Sequence, residues 1–231
     1  AMRIGNREFD TENGVYVMGI LNVTPDSFSD GGRWLERDAA LRQAAKMAAE
    51  GAAIIDIGGE STRPGHSPVG AEEEAARVLP VIAAVKRETG LPVSVDTYRH
   101  ETARLALEAG ADMINDIWGL RYDGGEMARL IAQSGAACCL MHNRKSAEYR
   151  DFMPELLEDL RGTLDLAAAA AIARERIILD PGIGFAKSCE QNLTAMHRLG
   201  ELAALGCPVL LAASRKSVIG LSLGLPVEER L

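Results

Sequence analysis

Short apolar runs alternate along the chain with longer stretches in which alanine and charged residues recur at helical spacing. The runs are rich in β-branched residues and have the length of buried parallel strands. They comprise Tyr16–Val23, Ala53–Gly58, Pro92–Asp96, Asp112–Ile117, Ala136–Met141, Ile177–Leu179 and Pro208–Ala213. The helical stretches between them are Asp38–Glu50, Gly70–Thr89, Glu101–Ala109, Gly125–Ser134, Pro154–Ala173 and Gln191–Leu205. A glycine follows most of these stretches, as is typical of helix carboxyl termini.

This alternation, with no linker to divide it, predicts one α/β domain over residues 1–231. The domain is either an open doubly wound sheet or a (β/α)8 TIM barrel. Polar residues at nearly every strand end favour the barrel, which brings all its strand ends to one mouth. Met2–Phe9 is expected to form an N-terminal β-hairpin at the barrel floor. Pro226–Leu231 resembles the first turn of a helix, so we expect the last helix and strand portion to be missing from this chain.

The composition argues against several classes of partner and location. The chain has 25 basic and 33 acidic residues and a formal net charge of −8, which argues against nucleic acid and anionic membranes as partners. No stretch approaches the length of a membrane span, and the first residues lack the apolar run of a signal peptide. The four cysteines form no C-x-x-C pair, so we expect free thiols in a cytoplasmic protein.

The loop after the first apolar run has the composition of an active-site cover. Asn22 stands where the strand surfaces, and the following residues combine hydroxyls with Phe28 and Asp30 before Gly31 and Gly32. Glycine gives such a backbone freedom to change shape. An ordinary solvated turn has the same composition, so this loop alone leaves the two interpretations level.

Carboxylates at two strand ends indicate a polar ligand. Asp96 and Asp180 each close an apolar run, and Asn115 closes another. A carboxylate accepts paired hydrogen bonds from an amino group and a ring NH, which suits a guanidine-like heterocycle. A helix cap is the alternative role for Asp96. Lys216, at the start of a helical segment beside these acids, can donate to the same ligand.

Other residues at the strand ends add an aromatic face and an anion site. Phe185, on a glycine-flanked turn, either offers its ring to an aromatic substrate or packs inwards as an anchor. Asn22 and Arg63 together suggest a site for phosphate-type leaving-group oxygens with Mg²⁺. The histidines lack the spacing of a zinc site, the residues next to His142 supply no nucleophile–base arrangement, and the other histidines lie in loop or helix stretches, so a catalytic triad has no support.

Several motifs resemble dihydropteroate synthase in order and spacing. They are GILNVTPDSFSDGG (19–32), DIGGESTRPG (56–65), SVDT (94–97), IND (114–116), LDPGIGF (179–185) and SRKS (214–217). The resemblance implies a pterin-binding (β/α)8 barrel, usually a homodimer, and a transferase of folate biosynthesis. Its reaction joins 4-aminobenzoate to 6-hydroxymethyl-7,8-dihydropterin diphosphate and releases diphosphate, with Mg²⁺. Sulfonamides compete with 4-aminobenzoate in this family.

The resemblance also implies roles for individual residues. Those similar to the family's pterin pocket are Asp96, Asn115, Asp180 and Lys216, with Met141 and Ile117 as apolar walls. Those similar to the 4-aminobenzoate and loop side are Thr62, Arg63, Pro64, Phe185 and Ser217. Asn22 resembles the contact to Mg²⁺ and diphosphate, while Phe28 and Asp30 resemble the loop that closes over the site. Catalytic roles fall to Asp96, Asp180, Lys216 and Arg63.

Two departures from the family keep alternatives open. The Arg-x-His stretch that helps the family hold diphosphate has no counterpart in this sequence, and Ala186 stands where glycine is common. One alternative is a corrinoid-dependent methyltetrahydrofolate methyltransferase on the same barrel. The loops at 27–32 and 61–65 argue against it, because that chemistry has no diphosphate to cover. The other alternative is a non-catalytic pterin-binding paralogue.

Overall fold

The computed structural model describes residues 1–23, 32–60 and 68–230, with side chains from residue 36 in the second range. The β-structure of these residues is a two-stranded hairpin and a parallel sheet of six strands. The hairpin pairs β1 (Met2–Ile4) with β2 (Arg7–Phe9). The sheet follows chain order through β3 (Met18–Asn22), β4 (Ile54–Gly58), β5 (Val93–Asp96), β6 (Met113–Asp116), β7 (Ala137–Met141) and β8 (Ile177–Asp180).

Within the described residues, five α-helices connect successive strands of the sheet and three more follow its last strand. They are α1 (Gly32–Ala49), α2 (Ala71–Thr89), α3 (His100–Glu108), α4 (Glu126–Ser134), α5 (Phe152–Ala169), α6 (Cys189–His197), α7 (Leu199–Ala203) and α8 (Ser217–Leu223). Arg174–Arg176 and Val227–Glu229 form short 3-10 helices. The glycine predicted to end α2 does so: Gly90 has a φ of 65° and donates its N–H to the Lys86 carbonyl. None of the helices in the described ranges has the length and apolar character needed to cross a membrane.

Two predicted elements differ from the structure. The run Pro208–Ala213 is no full strand, because only Val209 forms a parallel bridge, opposite Leu179 of β8. Pro208 has no amide hydrogen to donate, so its pairing is limited to its carbonyl, which accepts from the Leu179 N–H at 2.9 Å. The stretch Gln191–Leu205 is two helices, because Arg198 leaves helical geometry with φ −100° and ψ 25° between α6 and α7.

Side chains of the sheet alternate between an outer face, covered by the helices, and an inner face. The outer face is apolar except for Asp116 at the end of β6, and it packs on helix residues such as Val78, Ile131 and Leu156. At the amino ends of the strands, the inner face packs on the hairpin. This second core comprises Met2, Ile4, Phe9, Ile54, Met113, Ala137 and Cys139. A filled interior within parallel strands and outer helices is the architecture of a (β/α)8 barrel, and the hairpin forms its floor as predicted.

Candidate active site

A row of inward-facing positions crosses the carboxyl ends of neighbouring strands. Asn22 of β3 lies opposite Gly58 of β4, Gly58 lies opposite Asp96 of β5, and Asp96 lies opposite Asn115 of β6. Glycine leaves space in the middle of this row. A Cβ on Gly58 would lie 3.3 Å from Asp96 Oδ2 and 3.7 Å from Asn22 Oδ1. The structure therefore brings Asn22 and Asp96 together around one glycine, with Asn115 next to Asp96 on the following strand.

Two more predicted residues continue the inner face across the last strands. Met141 of β7 lies opposite Asp180 of β8, one inward position beyond the Cys139–Ile178 pair. Asp180 is 4% exposed, and its Oδ1 accepts the Gly182 N–H at 2.7 Å. Its carboxylate is therefore fixed at the same mouth as Asp96 and Asn115.

Lys216 reaches the loop that follows β8. Its Nζ donates to the Ile183 carbonyl and lies 5.1 Å from the centroid of the Phe185 ring. A Cβ on Gly184 would lie 3.4 Å from Lys216 Cδ, and Gly184 has a φ of 88°, so glycine allows this close passage. Lys216 and Phe185 thus meet at the loop that follows Asp180.

Asp56 is a site residue that the sequence interpretation missed. It lies in the middle of β4, is 3% exposed, and its Oδ2 accepts a hydrogen bond from Asn115 Nδ2 at 3.2 Å. Its Oδ1 and the hydroxyl of Ser94, opposite it on β5, have no hydrogen-bond partner within the described residues. A carboxylate inside the otherwise apolar run Ile54–Gly58 was the signal that could have identified it.

Burial dominates the electrostatics of this mouth. It raises the pKa of Asp56, and it raises the pKa of Asp96 well above its ordinary value, with Asp56 and Glu74 among the like charges that add to the effect. It raises the pKa of Asp180 to about 6, although the Gly182 amide and Lys216 oppose this shift. Burial also lowers the pKa of Lys216, while Asp180 and Asp96 raise it. The mouth holds an excess of buried carboxylates over nearby cations, which favours a ligand that donates hydrogen bonds or develops positive charge.

A buried ionic network lies behind Asp96. Glu74, 1% exposed, accepts hydrogen bonds from Thr97 Oγ1 at 2.9 Å and Arg99 Nη1 at 3.3 Å. Arg99 also donates to Glu60 at 2.7 Å and to the Val69 carbonyl at 2.6 Å. Arg99, not Asp96, is the residue before α3, and the capping alternative for Asp96 is therefore wrong.

The remaining predicted residues have different outcomes. Ile117 is half-buried just beyond β6, and Ser217 is the exposed first residue of α8. Thr62, Arg63, Pro64, Phe28 and Asp30 lie outside the described residues, so their predicted roles stay predictions. In the described part of the chain, no group of three or more His, Cys, Asp or Glu side chains could hold a metal ion. Asn22 instead offers a single exposed amide oxygen at the mouth.

Comparison with known proteins agrees with this geometry. A protein-family model described as pterin binding enzyme matches residues 18–231. A dihydropteroate synthase of Clostridium beijerinckii is 52% identical over 230 residues, covering 100% of this chain and 85% of that protein. A Clostridium difficile dihydropteroate synthase structure with pteroic acid matches with a TM-score of 0.93 at 47% identity, covering 96% of this chain and 85% of that one. A Xanthomonas albilineans dihydropteroate synthase with 4-aminobenzoic acid matches with a TM-score of 0.90 at 43% identity, covering 95% and 80%.

Proposed function

The chain belongs to the pterin binding enzyme family, and on this premise we propose how its residues work in a transferase of the dihydropteroate synthase type. The reaction condenses 6-hydroxymethyl-7,8-dihydropterin diphosphate with 4-aminobenzoate to give 7,8-dihydropteroate and diphosphate, a step of folate biosynthesis. The observation that carries the site assignment is the inward row of Asn22, Asp96 and Asn115, with Asp180 at the same mouth.

The pterin ring binds to the buried carboxylates. Asp96 and Asp180 accept hydrogen bonds from its amino and ring NH groups, and Asn115 reads its remaining polar edge. The buried carboxylate of Asp56 beneath the row adds a further acceptor to this surface. Lys216 donates to a carbonyl or ring nitrogen, while Met141 and Ile117 form the apolar walls.

The diphosphate lies towards Asn22 and Arg63. Asn22 fits a Mg²⁺ contact, because Mg²⁺ prefers oxygen ligands and takes few of them from the protein when phosphates and water supply the rest. When bound, Mg²⁺ offsets the negative charge of the leaving diphosphate. Arg63 adds a cation to the same group. Phe28 and Asp30 close over the site.

The second substrate binds next to Phe185. The ring of Phe185 lies beside Lys216, which supports stacking of the 4-aminobenzoate ring at that point. Thr62, Pro64 and Ser217 complete this side. Sulfonamides, which share the aniline group of 4-aminobenzoate, compete for the same place.

Bond breaking leads the substitution. The C–O bond of the pterin methylene breaks, diphosphate leaves with the bonding pair, and positive charge develops on the pterin. Asp96 and Asp180 stabilise this charge because they are fixed in place before the reaction. The aniline nitrogen then forms the new C–N bond and loses its proton to solvent. No strong general base is needed, because the weakly basic aniline nitrogen attacks only after positive charge has developed on the pterin.

Diphosphate release tests this function directly. We expect release from the dihydropterin diphosphate to require both 4-aminobenzoate and Mg²⁺, measured on the longest available form of the protein. Binding of the pterin without release would favour the non-catalytic paralogue and would contradict the proposal.

We also propose a homodimer of one-domain subunits in the cytoplasm. A family match over residues 18–231 supports one domain. Free thiols at Cys138, Cys139, Cys189 and Cys207 support a reducing compartment. Light scattering after size-exclusion chromatography measures the subunit number, and a monomer at working concentration would contradict the dimer.

A further inference from the structure

Two lysines bind carbonyl groups of the loop that follows β8, residues 181–188. Lys216 Nζ donates to the Ile183 carbonyl, and Lys187 Nζ donates to the Phe185 carbonyl at 3.0 Å. Lys216 already belongs to the proposed pterin pocket, whereas Lys187 has no role in it. The contacts of Lys187 therefore need their own explanation.

The second partner of Lys187 is His142, a residue 3% exposed at the end of β7. Lys187 Nζ lies 2.9 Å from His142 Nδ1, and His142 Nε2 lies 2.8 Å from Asp159 Oδ2. Against the effect of burial, hydrogen bonds from Arg144 and His142 lower the pKa of Asp159. Its carboxylate therefore accepts from Nε2–H, and the Nδ1 atom of a neutral imidazole accepts from Lys187. Burial and the Lys187 charge lower the pKa of His142 to about 4, which keeps this imidazole neutral.

The contacts close into a ring through Arg144 and Tyr149. Arg144 Nε donates to Asp159 Oδ2 at 2.7 Å, and the guanidinium carbon lies 4.2 Å from the Tyr149 ring centroid. Tyr149 Oη then donates to the Ala186 carbonyl at 2.9 Å. We call His142, Arg144, Tyr149, Asp159 and Lys187 the His142 cluster. It holds the consecutive carbonyls of residues 185 and 186.

Burying the charged form of Lys187 in this cluster costs free energy. Burial lowers its pKa to about 7, with Lys216 and Arg144 acting in the same direction and Asp180 and Asp159 opposing it. If the contacts only packed the loop against β7, apolar side chains could make them without burying an ammonium group. What the cluster adds is a fixed backbone at Phe185, whose ring lies 5.1 Å from Lys216 Nζ.

We propose that Lys187 is a positioning residue for the aryl-amine substrate, holding the Phe185 ring beside Lys216 through the Phe185 carbonyl. This inference rests on the proposed function, which assigns the Phe185 side of the mouth to 4-aminobenzoate. Other contacts position the pterin side: Asp96 and Asn115 are set by strand register and Asp180 by the Gly182 amide. Burial raises the pKa of Asp180 and the Lys187 charge opposes this shift, so the pterin Kd is compared at a pH above the Asp180 pKa.

Lys187→Met should affect the binding of the two substrates differently. We expect the KM for 4-aminobenzoate to rise about tenfold, the loss expected for one or two charge-assisted hydrogen bonds, while the Kd of the dihydropterin diphosphate stays within about twofold. Lys46→Met, which removes an exposed lysine of α1, is the matched control and should change neither value. An unchanged KM, or an equal loss for both substrates, would overturn the proposal.

Two substitutions of His142 distinguish the roles of its two ring nitrogens. His142→Asn keeps an acceptor near the Nδ1 position for Lys187, whereas His142→Gln keeps a donor near the Nε2 position for Asp159 and loses the acceptor. We expect His142→Gln to raise the KM for 4-aminobenzoate as Lys187→Met does, and His142→Asn to retain a KM closer to that of the wild type. The reverse ranking would show that Lys187 does not act through His142.

Hydrogen–deuterium exchange distinguishes failure of this inference from failure of the proposed function. If the wild-type enzyme releases no diphosphate, the function is wrong. In either case, Lys187→Met should speed exchange in residues 181–190 and leave α2 and α3 unchanged, because the loop loses its tie and the other elements do not. Unchanged exchange in that loop would overturn the role of Lys187.

Discussion

The inner face of the sheet has opposite chemistry at its two ends. At the amino ends of the strands it is apolar and sealed by the hairpin, with Met2, Ile4 and Phe9 at most 3% exposed. Asp112, whose carboxylate lies against Gly5 of the hairpin turn, is paired with Lys86 and accepts the Val93 N–H at 2.9 Å. At the carboxyl ends, a few positions along the same strands, Asp96 and Asp180 face a common mouth, and Asp56 lies one inward position below it in the middle of β4.

The difference shows where this molecule is stabilised and where it binds. Burial of apolar side chains at the hairpin end stabilises the fold, whereas burial of carboxylates at the mouth costs free energy until a ligand donates to them. Substitutions at the hairpin end should therefore change the free energy of unfolding and spare activity. Substitutions at the mouth should do the opposite.

Phe9→Ala should have the largest effect and should act on stability alone. Phe9 is 3% exposed and makes an edge-to-face contact with Tyr16, with ring centroids 4.9 Å apart. Truncating a buried phenylalanine costs about 3–5 kcal/mol, which urea unfolding would measure. The kcat/KM of the protein that remains folded should be unchanged. Phe9→Leu is the milder control, and a loss below about 1 kcal/mol in Phe9→Ala would show that the hairpin is not part of the core.

Lys216→Met should have the next largest effect and should act on binding. Loss of a hydrogen bond from a charged group costs about 1.5–3 kcal/mol, so the Kd of the dihydropterin diphosphate should rise roughly 10- to 100-fold by titration calorimetry. The melting temperature should change little. Lys46→Met controls for the general loss of a lysine. An unchanged Kd would remove Lys216 from the pterin pocket.

The sequence predicted the parts of this molecule that depend on local pattern. Asp96, Asn115 and Asp180 were identified because each ends an apolar run, and their convergence followed from parallel strands. Asp56 was missed because it lies within such a run, and its inward direction depends on strand register. The contact between Lys187 and His142 joins residues 45 positions apart, so no local pattern could indicate it. The strand expected at Pro208–Ala213 shortened to a bridge because pairing, not hydrophobicity, decides where a strand begins.

The pH dependence should differ in sign between binding and stability. The pKa of Asp180 is about 6 in the folded protein, above the ordinary value of about 3.9 in an unfolded chain. The pterin needs the carboxylate, so its affinity should fall as the pH falls below about 6, by up to about tenfold per pH unit. The free protein takes up this proton on folding between these two values, so the contribution of Asp180 to stability falls as pH rises through that window.

Asp180→Asn tests both signs at once. It should remove the affinity step near pH 6 and flatten that share of the stability change, measured by calorimetry and urea unfolding across the same pH range. Asp116→Asn is the control, because Asp116 also has a pKa of about 6 but uses its carboxylate for the backbone amides of Trp118 and Leu120. An affinity step that survives in Asp180→Asn would assign it to another group at the mouth.

The smallest expected effect concerns two alanines with left-handed backbone conformations, one beside the mouth and one away from it. Ala186 has a φ of 47° in the loop beside Phe185, and Ala171 has a φ of 64° just after α5, away from the mouth. Glycine at either position should raise the free energy of unfolding by up to about 1 kcal/mol, since relief of the backbone outweighs the added freedom of the unfolded chain. Only Ala186→Gly should also raise the KM for 4-aminobenzoate, by less than about threefold, because glycine loosens the carbonyl that Tyr149 holds. If Ala171→Gly changed that KM equally, general loosening would explain both, and the position beside Phe185 would have no special part in binding.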